Sequence, residues 1–178
     1  MQKPEFRIDT RDVLIISGIL IFFGILIFGQ FQILGENPII PGEPAPDFSL
    51  SDLNGDTVQL SMLRGKVVVL NFIATWCGAC HQQVVQLEDV WSAFSDQITI
   101  MSIDIDTQGS EQMLRDYVQE YPYSSWIWAK DTIHLSRIYW STAIPLTVII
   151  DNEGLIQYSH IGVTSATILT NEITNLLN

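Results

Sequence analysis

The sequence predicts a single α/β domain, a central mixed β-sheet flanked by helices, carried behind one apolar N-terminal segment. Three observations support this. Residues 13–34 (VLIISGILIFFGILIFGQFQIL) run for 22 residues without a charge. Beyond them, short apolar strand-like runs alternate with stretches whose apolar residues recur at helical spacing. The only two cysteines, Cys77 and Cys80, stand where one such strand, Val67–Ala74, meets the following helix.

As a helix, the uncharged run spans about 33 Å at 1.5 Å per residue, enough to cross a bilayer core. It is long for the apolar part of a cleaved signal peptide, and no small-x-small cleavage pattern follows Phe28. It therefore reads as an uncleaved anchor, Gln30 and Gln32 notwithstanding. Lys3, Arg7 and Arg11 precede it, and no Lys or Arg follows until Arg64. This predicts a cytoplasmic tail (1–12), a single-pass transmembrane helix (13–34), a linker (35–42) and an extracytoplasmic domain (43–178) at the cell membrane. There no glutathione pool keeps thiols reduced, so the state of the two cysteines depends on a dedicated partner.

Residues 1–35 are balanced in charge. The net charge of -12 lies on residues 36–178, with 5 basic and 17 acidic groups. Nucleic acid is excluded as a partner on that balance, and an acidic exterior suits a soluble domain held off anionic lipid by a tether.

The elements follow in order. Residues 35–46 hold four of the seven prolines and read as extended linker and domain entry. Asp47–Leu50 and Thr57–Leu60 flank Asn54-Gly55, a hairpin signal. Val67–Ala74 is continuously apolar apart from Asn71, as in a strand covered on both faces. Val84, Leu87, Val90 or Trp91, and Phe94 keep helical spacing after Cys80. Strands are expected at Ile98–Ile105, Ser125–Ala129, Leu146–Ile150 and Leu155–Ile161, with a turn at Asn152-Glu153-Gly154. Helices are expected at Ser110–Glu120, Thr132–Tyr139 and Ser165–Leu177. Trp126 and Trp128 fall on one strand face, as core or groove wall.

A Cys-x-x-Cys pair at a strand–helix junction puts its first sulfur among free helix N-terminal amides, where amides and dipole favour the thiolate. That makes a reactive dithiol rather than a structural staple.

Several segments together carry a family resemblance: Pro44-Ala45-Pro46-Asp47-Phe48, Leu60-Ser61 with Gly65-Lys66, Asn71-Phe72 through Trp76-Cys77-Gly78-Ala79-Cys80, and Ile144-Pro145 before a strand reaching Asp151 and Gly154. From Gly42 to the C-terminus the chain resembles the thioredoxin superfamily, and within it the membrane-tethered TlpA-like and ResA-like thiol-disulfide oxidoreductases. The resemblance implies a thioredoxin-like fold, with Cys77 as nucleophile and Cys80 as resolving thiol of a redox disulfide. It implies that Trp76 walls the sulfur, that Gly78 and Ala79 shape the turn, and that Pro145 is a cis-proline facing the cysteines. The main chain of Ile144 would then pair with substrate as an added strand. The implied partners are protein thiols and disulfides outside the cytoplasm and a membrane electron donor of thiol-disulfide type. Relatives act largely as reductants in cytochrome c maturation and cell redox homeostasis; no cofactor or metal is implied.

Two departures bear on mechanism. Asn71 stands where thioredoxins carry a buried Asp, and Gln83 where ResA-like proteins carry a Glu. Both amides hydrogen-bond, but neither takes a proton from Cys80 at neutral pH. His81 is the remaining base beside Cys80, although a first-turn His ordinarily faces solvent.

Readings from other classes are weaker. Cys77-Gly78-Ala79-Cys80-His81 also satisfies the c-type haem attachment pattern C-x-x-C-H, which would make the chain an electron carrier. Its place after a buried strand argues against that. A peroxiredoxin-type peroxidase needs Pro and Thr where Leu70 and Ala74 stand. Metal binding would have to draw on the distant His134 or His160. A non-catalytic interaction domain is disfavoured by the intact dithiol.

Ala79 occupies a position where many relatives carry Pro, and it keeps a backbone N–H that Pro lacks. An additional donor near the sulfurs favours the reduced form. Redox titration with thiol alkylation is therefore expected to give a couple more oxidising than a thioredoxin at about -270 mV. A midpoint at or below that value removes the argument.

Overall fold

The computed structural model describes residues 39–121, 124–139 and 141–178. Strand β3 (Val67–Ile73) lies at the centre, with all 7 residues buried. Its side chains alternate between two cores: Val67, Val69 and Ile73 on one face, Val68, Leu70 and Phe72 on the other. This two-sided burial explains why the strand reads as a near-continuous apolar run.

A hairpin precedes it. Strands β1 (Ser49–Ser51) and β2 (Thr57–Gln59) form their own antiparallel pair. The Asp52 carboxylate closes the turn by accepting from the amides of Asn54 at 2.8 Å and Asp56 at 2.9 Å. The second strand was expected to reach Leu60. It stops at Gln59, and Leu60–Leu63 forms a 3-10 turn that carries the Leu60 side chain into the core.

In the main sheet, β4 (Ile98–Asp104) runs parallel to β3, and β5 (Ile127–Lys130) parallel to β4. On the other side, β6 (Leu146–Ile150) is antiparallel to β3 and β7 (Ile156–Ile161) to β6. The order is β5-β4-β3-β6-β7, a mixed sheet as expected.

Among the described residues four helices accompany it: α1 (Gly78–Phe94), α2 (Glu111–Gln119), α3 (Leu135–Ile138) and α4 (Ala166–Leu177). Helices α1, α2 and α4 cover one face, while the hairpin, the 3-10 turn and α3 cover the other. Val84, Leu87 and Val90 of α1 are wholly buried. Each contributes about 1.5–3 kcal/mol, which holds the cysteine-bearing helix against the sheet. Ser110 and Ser165 cap α2 and α4 through their side-chain oxygens.

Gly154 ends the expected turn with φ +87°, and a side chain there would collide with the Arg64 guanidinium lying over it. The guanidinium can move aside, so it is the positive φ that demands glycine.

The tail 1–12, the expected transmembrane helix 13–34 and the start of the linker lie outside the described residues. Among the described residues no helix is long and apolar enough to cross a membrane. Gly42, at the end of the expected linker, already donates its N–H to the Ile156 carbonyl at 2.7 Å.

The side chain of Gln83 ties α1 to the loop before α4. Its Oε1 accepts from the Thr164 amide at 2.6 Å, and its Nε2 donates to the Thr164 carbonyl at 3.4 Å. Gln86 extends the tie by accepting from the Ala166 amide at 2.9 Å. Gln83 is fully buried, so Gln83→Glu would place a carboxylate without water and set one of its oxygens against a carbonyl. Burial raises the folded-state pKa of such an acid above its unfolded value of about 4.3. The variant then folds best when protonated: its deficit relative to wild type is small below about pH 4 and grows as pH rises through the raised folded pKa. Thermal melts of both proteins across pH test this, and a deficit independent of pH contradicts it.

Candidate active site

The end of β3 and the start of α1 meet in a short bend, Ala74-Thr75-Trp76, which delivers Cys77 to the N-cap position of α1. The Cys77 amide donates to the Ala74 carbonyl at 3.0 Å, closing the bend. The Cys80 amide lies 3.2 Å from Cys77 Sγ and donates to it, so the sulfur serves as the helix cap. An anionic sulfur is favoured at this place, because it accepts from the Cys80 amide, which it shares with the Cys77 carbonyl at 2.9 Å, and faces the positive end of the helix dipole.

Cys77 and Cys80 are joined as a disulfide, with Cα atoms 5.2 Å apart, inside the usual range for such a bridge. Their surroundings differ. Cys77 retains 8% exposure and Cys80 none, so an incoming sulfur reaches the first and not the second.

Across from the disulfide, the Ile144–Pro145 peptide bond is cis. The Ile144 carbonyl oxygen lies 3.9 Å from Cys77 Sγ, and Pro145 is buried, its carbonyl accepting from the Gly162 amide at 2.7 Å. Gly78 and Ala79 are exposed on the first turn.

The polar residues near the cysteines are placed in ways the sequence did not indicate. Asn71 is fully buried on the α1 face of β3, in register with Ser102 of β4 and Thr147 of β6. Its Nδ2 donates to Ser102 Oγ at 3.2 Å, and its Oδ1 has no protein partner. Ser102 Oγ also accepts from Trp126 Nε1 at 2.9 Å. Gln83 is committed to Thr164, as described above.

His81 does not simply face solvent. Its Nε2 lies 3.1 Å from the Thr75 carbonyl, Nδ1 meets the Tyr121 hydroxyl, and its ring centroid lies 4.7 Å from that of Tyr117. A carbonyl only accepts, so Nε2 carries the proton, and in the neutral ring Nδ1 accepts from the Tyr121 hydroxyl. Both nitrogens of the neutral ring are then occupied, and no lone pair is left for the Cys80 proton. Burial pushes the Tyr117 and Tyr121 hydroxyls above the usual phenol range, which keeps them as neutral donors.

The sequence reading named Trp76 but missed the residues that hold it, Asp104, Asp106 and Lys130. Trp76 is 69% exposed, yet its Nε1 donates to Asp106 Oδ2 at 3.2 Å. Asp106 N–H in turn donates to Asp104 Oδ1 at 3.0 Å, and Asp104 Oδ2 pairs with Lys130 Nζ at 3.2 Å. Desolvation by burial pushes the Asp104 carboxyl above the usual range, while the Gln108 amide foremost lowers that of Asp106. The signal lay in Asp104 and Asp106, spaced by two at the end of an apolar strand, but their partners are 26 and 30 residues away. Trp76, Asp106, Gln108 and residues 141–144 all line a groove of about 670 Å³.

The site does not fit the haem reading. Cys80 Sγ is enclosed in the core, and an iron ligand at His81 would have to break the contacts to Thr75 or Tyr121. His134 and His160 are exposed, at the start of α3 and on β7. Among the described residues no group of three or more His, Cys, Asp or Glu is placed to hold a metal ion.

The chain is similar to several known proteins. The AhpC/TSA family matches residues 41–159. Thioredoxin-like protein YneN of Bacillus subtilis (strain 168) is 33% identical over 122 residues, covering 68% of this chain and 71% of that protein. Thiol-disulfide oxidoreductase ResA of Oceanobacillus iheyensis is 30% identical over 121 residues, covering 65% of this chain and 62% of that protein. Among solved structures, a candidate thiol:disulfide interchange protein DsbE from Chlorobium tepidum superposes with a TM-score of 0.71 at 26% identity, covering 79% of this chain and 99% of that one. The chain therefore belongs to the AhpC/TSA family and has a thioredoxin-like fold, of the kind found in the ResA-like thiol-disulfide oxidoreductases.

Proposed function

We propose that this protein is a membrane-anchored thiol-disulfide oxidoreductase that reduces disulfides of other proteins outside the cytoplasm, with Cys77 attacking and Cys80 resolving. The observation that carries the assignment of roles is the unequal access to the two sulfurs: Cys77 reaches the surface at a helix N-terminus and Cys80 is sealed beneath it.

In the reduced domain the Cys77 thiolate attacks one sulfur of a partner disulfide. A mixed disulfide forms, and the partner's other sulfur leaves as a thiolate. Cys80 then loses its proton and attacks Cys77 Sγ. The mixed disulfide breaks, the Cys77–Cys80 disulfide closes, and the partner departs with both sulfurs reduced and two electrons gained. With Asn71 and Gln83 neutral and both His81 nitrogens occupied, the base for Cys80 is the partner thiolate released in the first step. The open main chain of Ile144 beside cis-Pro145 suits an extended partner segment bound as an added strand.

Re-reduction needs a dithiol donor, which we place in the membrane. The uncharged run 13–34 and the basic residues before it support an anchor with its N-terminus in the cytoplasm. Cytochrome c maturation is a process that consumes such a reductant.

Full-length protein carrying Cys80→Ser, expressed in intact cells, is expected to accumulate disulfide-linked partners that reducing agent releases. Cys77→Ser should trap none. A membrane-impermeant thiol reagent should label Cys77 of the reduced protein in unbroken cells. Equal trapping by both variants would overturn the roles of the two sulfurs, and labelling only after lysis would overturn the topology.

A further inference from the structure

Asp106 is held at every polar atom. Its amide donates to Asp104 Oδ1 at 3.0 Å, and its carbonyl accepts from Lys130 Nζ. Oδ1 accepts from the Gln108 amide at 2.9 Å, and Oδ2 from the Trp76 indole at 3.2 Å. Gly109 leaves room for that carboxylate, since a Cβ there would lie 3.0 Å from Asp106 Oδ2. Ile73, Asp104 and Lys130 share one register row across β3, β4 and β5. The clamp is thus built from the C-terminal ends of three parallel strands, beside the bend that carries Trp76.

The Asp104–Lys130 pair is largely out of water, with side-chain exposures of 1% and 19%. Desolvation offsets much of the attraction in such a pair, and an apolar replacement of similar volume is often neutral for stability. Stability alone therefore gives little account of it, whereas its geometry does: one carboxylate and one ammonium grip the two main-chain polar groups of the residue that holds Trp76. That indole is 69% exposed and has no core packing to keep it in place.

We propose that Asp104 and Lys130 are positioning residues for disulfide exchange: their buried ion pair fixes Asp106, and Asp106 in turn holds the Trp76 indole as the wall of the substrate groove beside Cys77. This rests on the Cys77–Cys80 disulfide being the reacting group. It assigns a role in exchange to a lysine on β5 that touches neither sulfur. Asp106 and Gln108 also line the groove, but the indole N–H is the link through which the clamp holds Trp76, so removing it should cut most of the ion pair's effect on exchange.

The test is a double-mutant cycle in the full-length protein with Lys130→Met, which keeps the stem and removes the ammonium, and Trp76→Phe, which keeps a ring and removes the N–H. Exchange with a disulfide-bonded peptide and the local motion of Trp76 are both measured. The local motion is read from fluorescence anisotropy decay, as the difference between proteins with and without Trp76. Lys130→Met is expected to lower kcat/KM roughly tenfold where Trp76 is present and by less than about twofold in the Trp76→Phe background. It should also enlarge the fast local component of Trp76. An equal loss in both backgrounds, or an unchanged anisotropy decay, overturns the proposal. If Lys130→Met does not fold, Asp104→Asn serves, since it keeps an acceptor for the Asp106 amide while removing the charge. The same two signatures are then expected at smaller size. Exchange that survives Cys77→Ser would defeat the dithiol reading instead, while the anisotropy measurement judges the clamp without reference to activity.

Discussion

A strand covered on both faces can present chemistry only at its ends, and β3 is covered along its whole length. Its C-terminal end is where the backbone leaves the sheet, bends through Ala74-Thr75-Trp76 and starts α1. The free amides of a helix start need acceptors, and here a sulfur supplies one. The same step that ends the central strand therefore caps the helix with the Cys77 sulfur and buries Cys80 one turn later. The cis peptide at Pro145 faces the disulfide because β6 runs antiparallel to β3, so that its N-terminal end lies beside the C-terminal end of β3.

Cys80 lies in an apolar cluster, and the buried polar row on the same face of the sheet is uncharged. Asn71, Ser102 and Thr147 form a row across three adjacent strands on the α1 face, and all three are fully buried. A carboxylate in that row would be hard to ionise without water or a partner cation. Neutral amides and hydroxyls carry less of that cost, but they cannot remove a proton. In the mechanism proposed above, the partner thiolate released in the first step takes the place of a resident base for Cys80.

Charge gathers instead at the rim. Asp104, Asp106 and Lys130 sit at the ends of β4 and β5, and Glu120 lies 3.9 Å from His81 Nδ1. Tyr117 and Tyr121 stand between the first turn of α1 and α2 and cover one side of that turn. This division follows from solvation: neutral groups tolerate the interior next to Cys80, while carboxylates stay where amides, an ammonium or water can reach them.

The sequence by itself determined the order and kind of nearly every element, the place of the dithiol at a strand–helix junction, and the proline opposite it. Those features are local: periodicity reports which face of an element is buried, and a Cys-x-x-Cys pair or an Ile-Pro step is legible without knowing its neighbours. The boundary at Leu60 escaped because the pull of the core on one side chain outweighed the strand pattern. Tertiary structure decided which distant residues meet. His81 looks like a surface residue until Tyr121, 40 positions later, closes on it, and Gln83 looks like a lost acid until Thr164 fills both ends of its amide. Trp76 acquires a partner 30 positions away only once β3 and β4 align in register. Register and loop closure depend on the summed packing of both cores, a property of the whole fold that no short stretch of chain encodes.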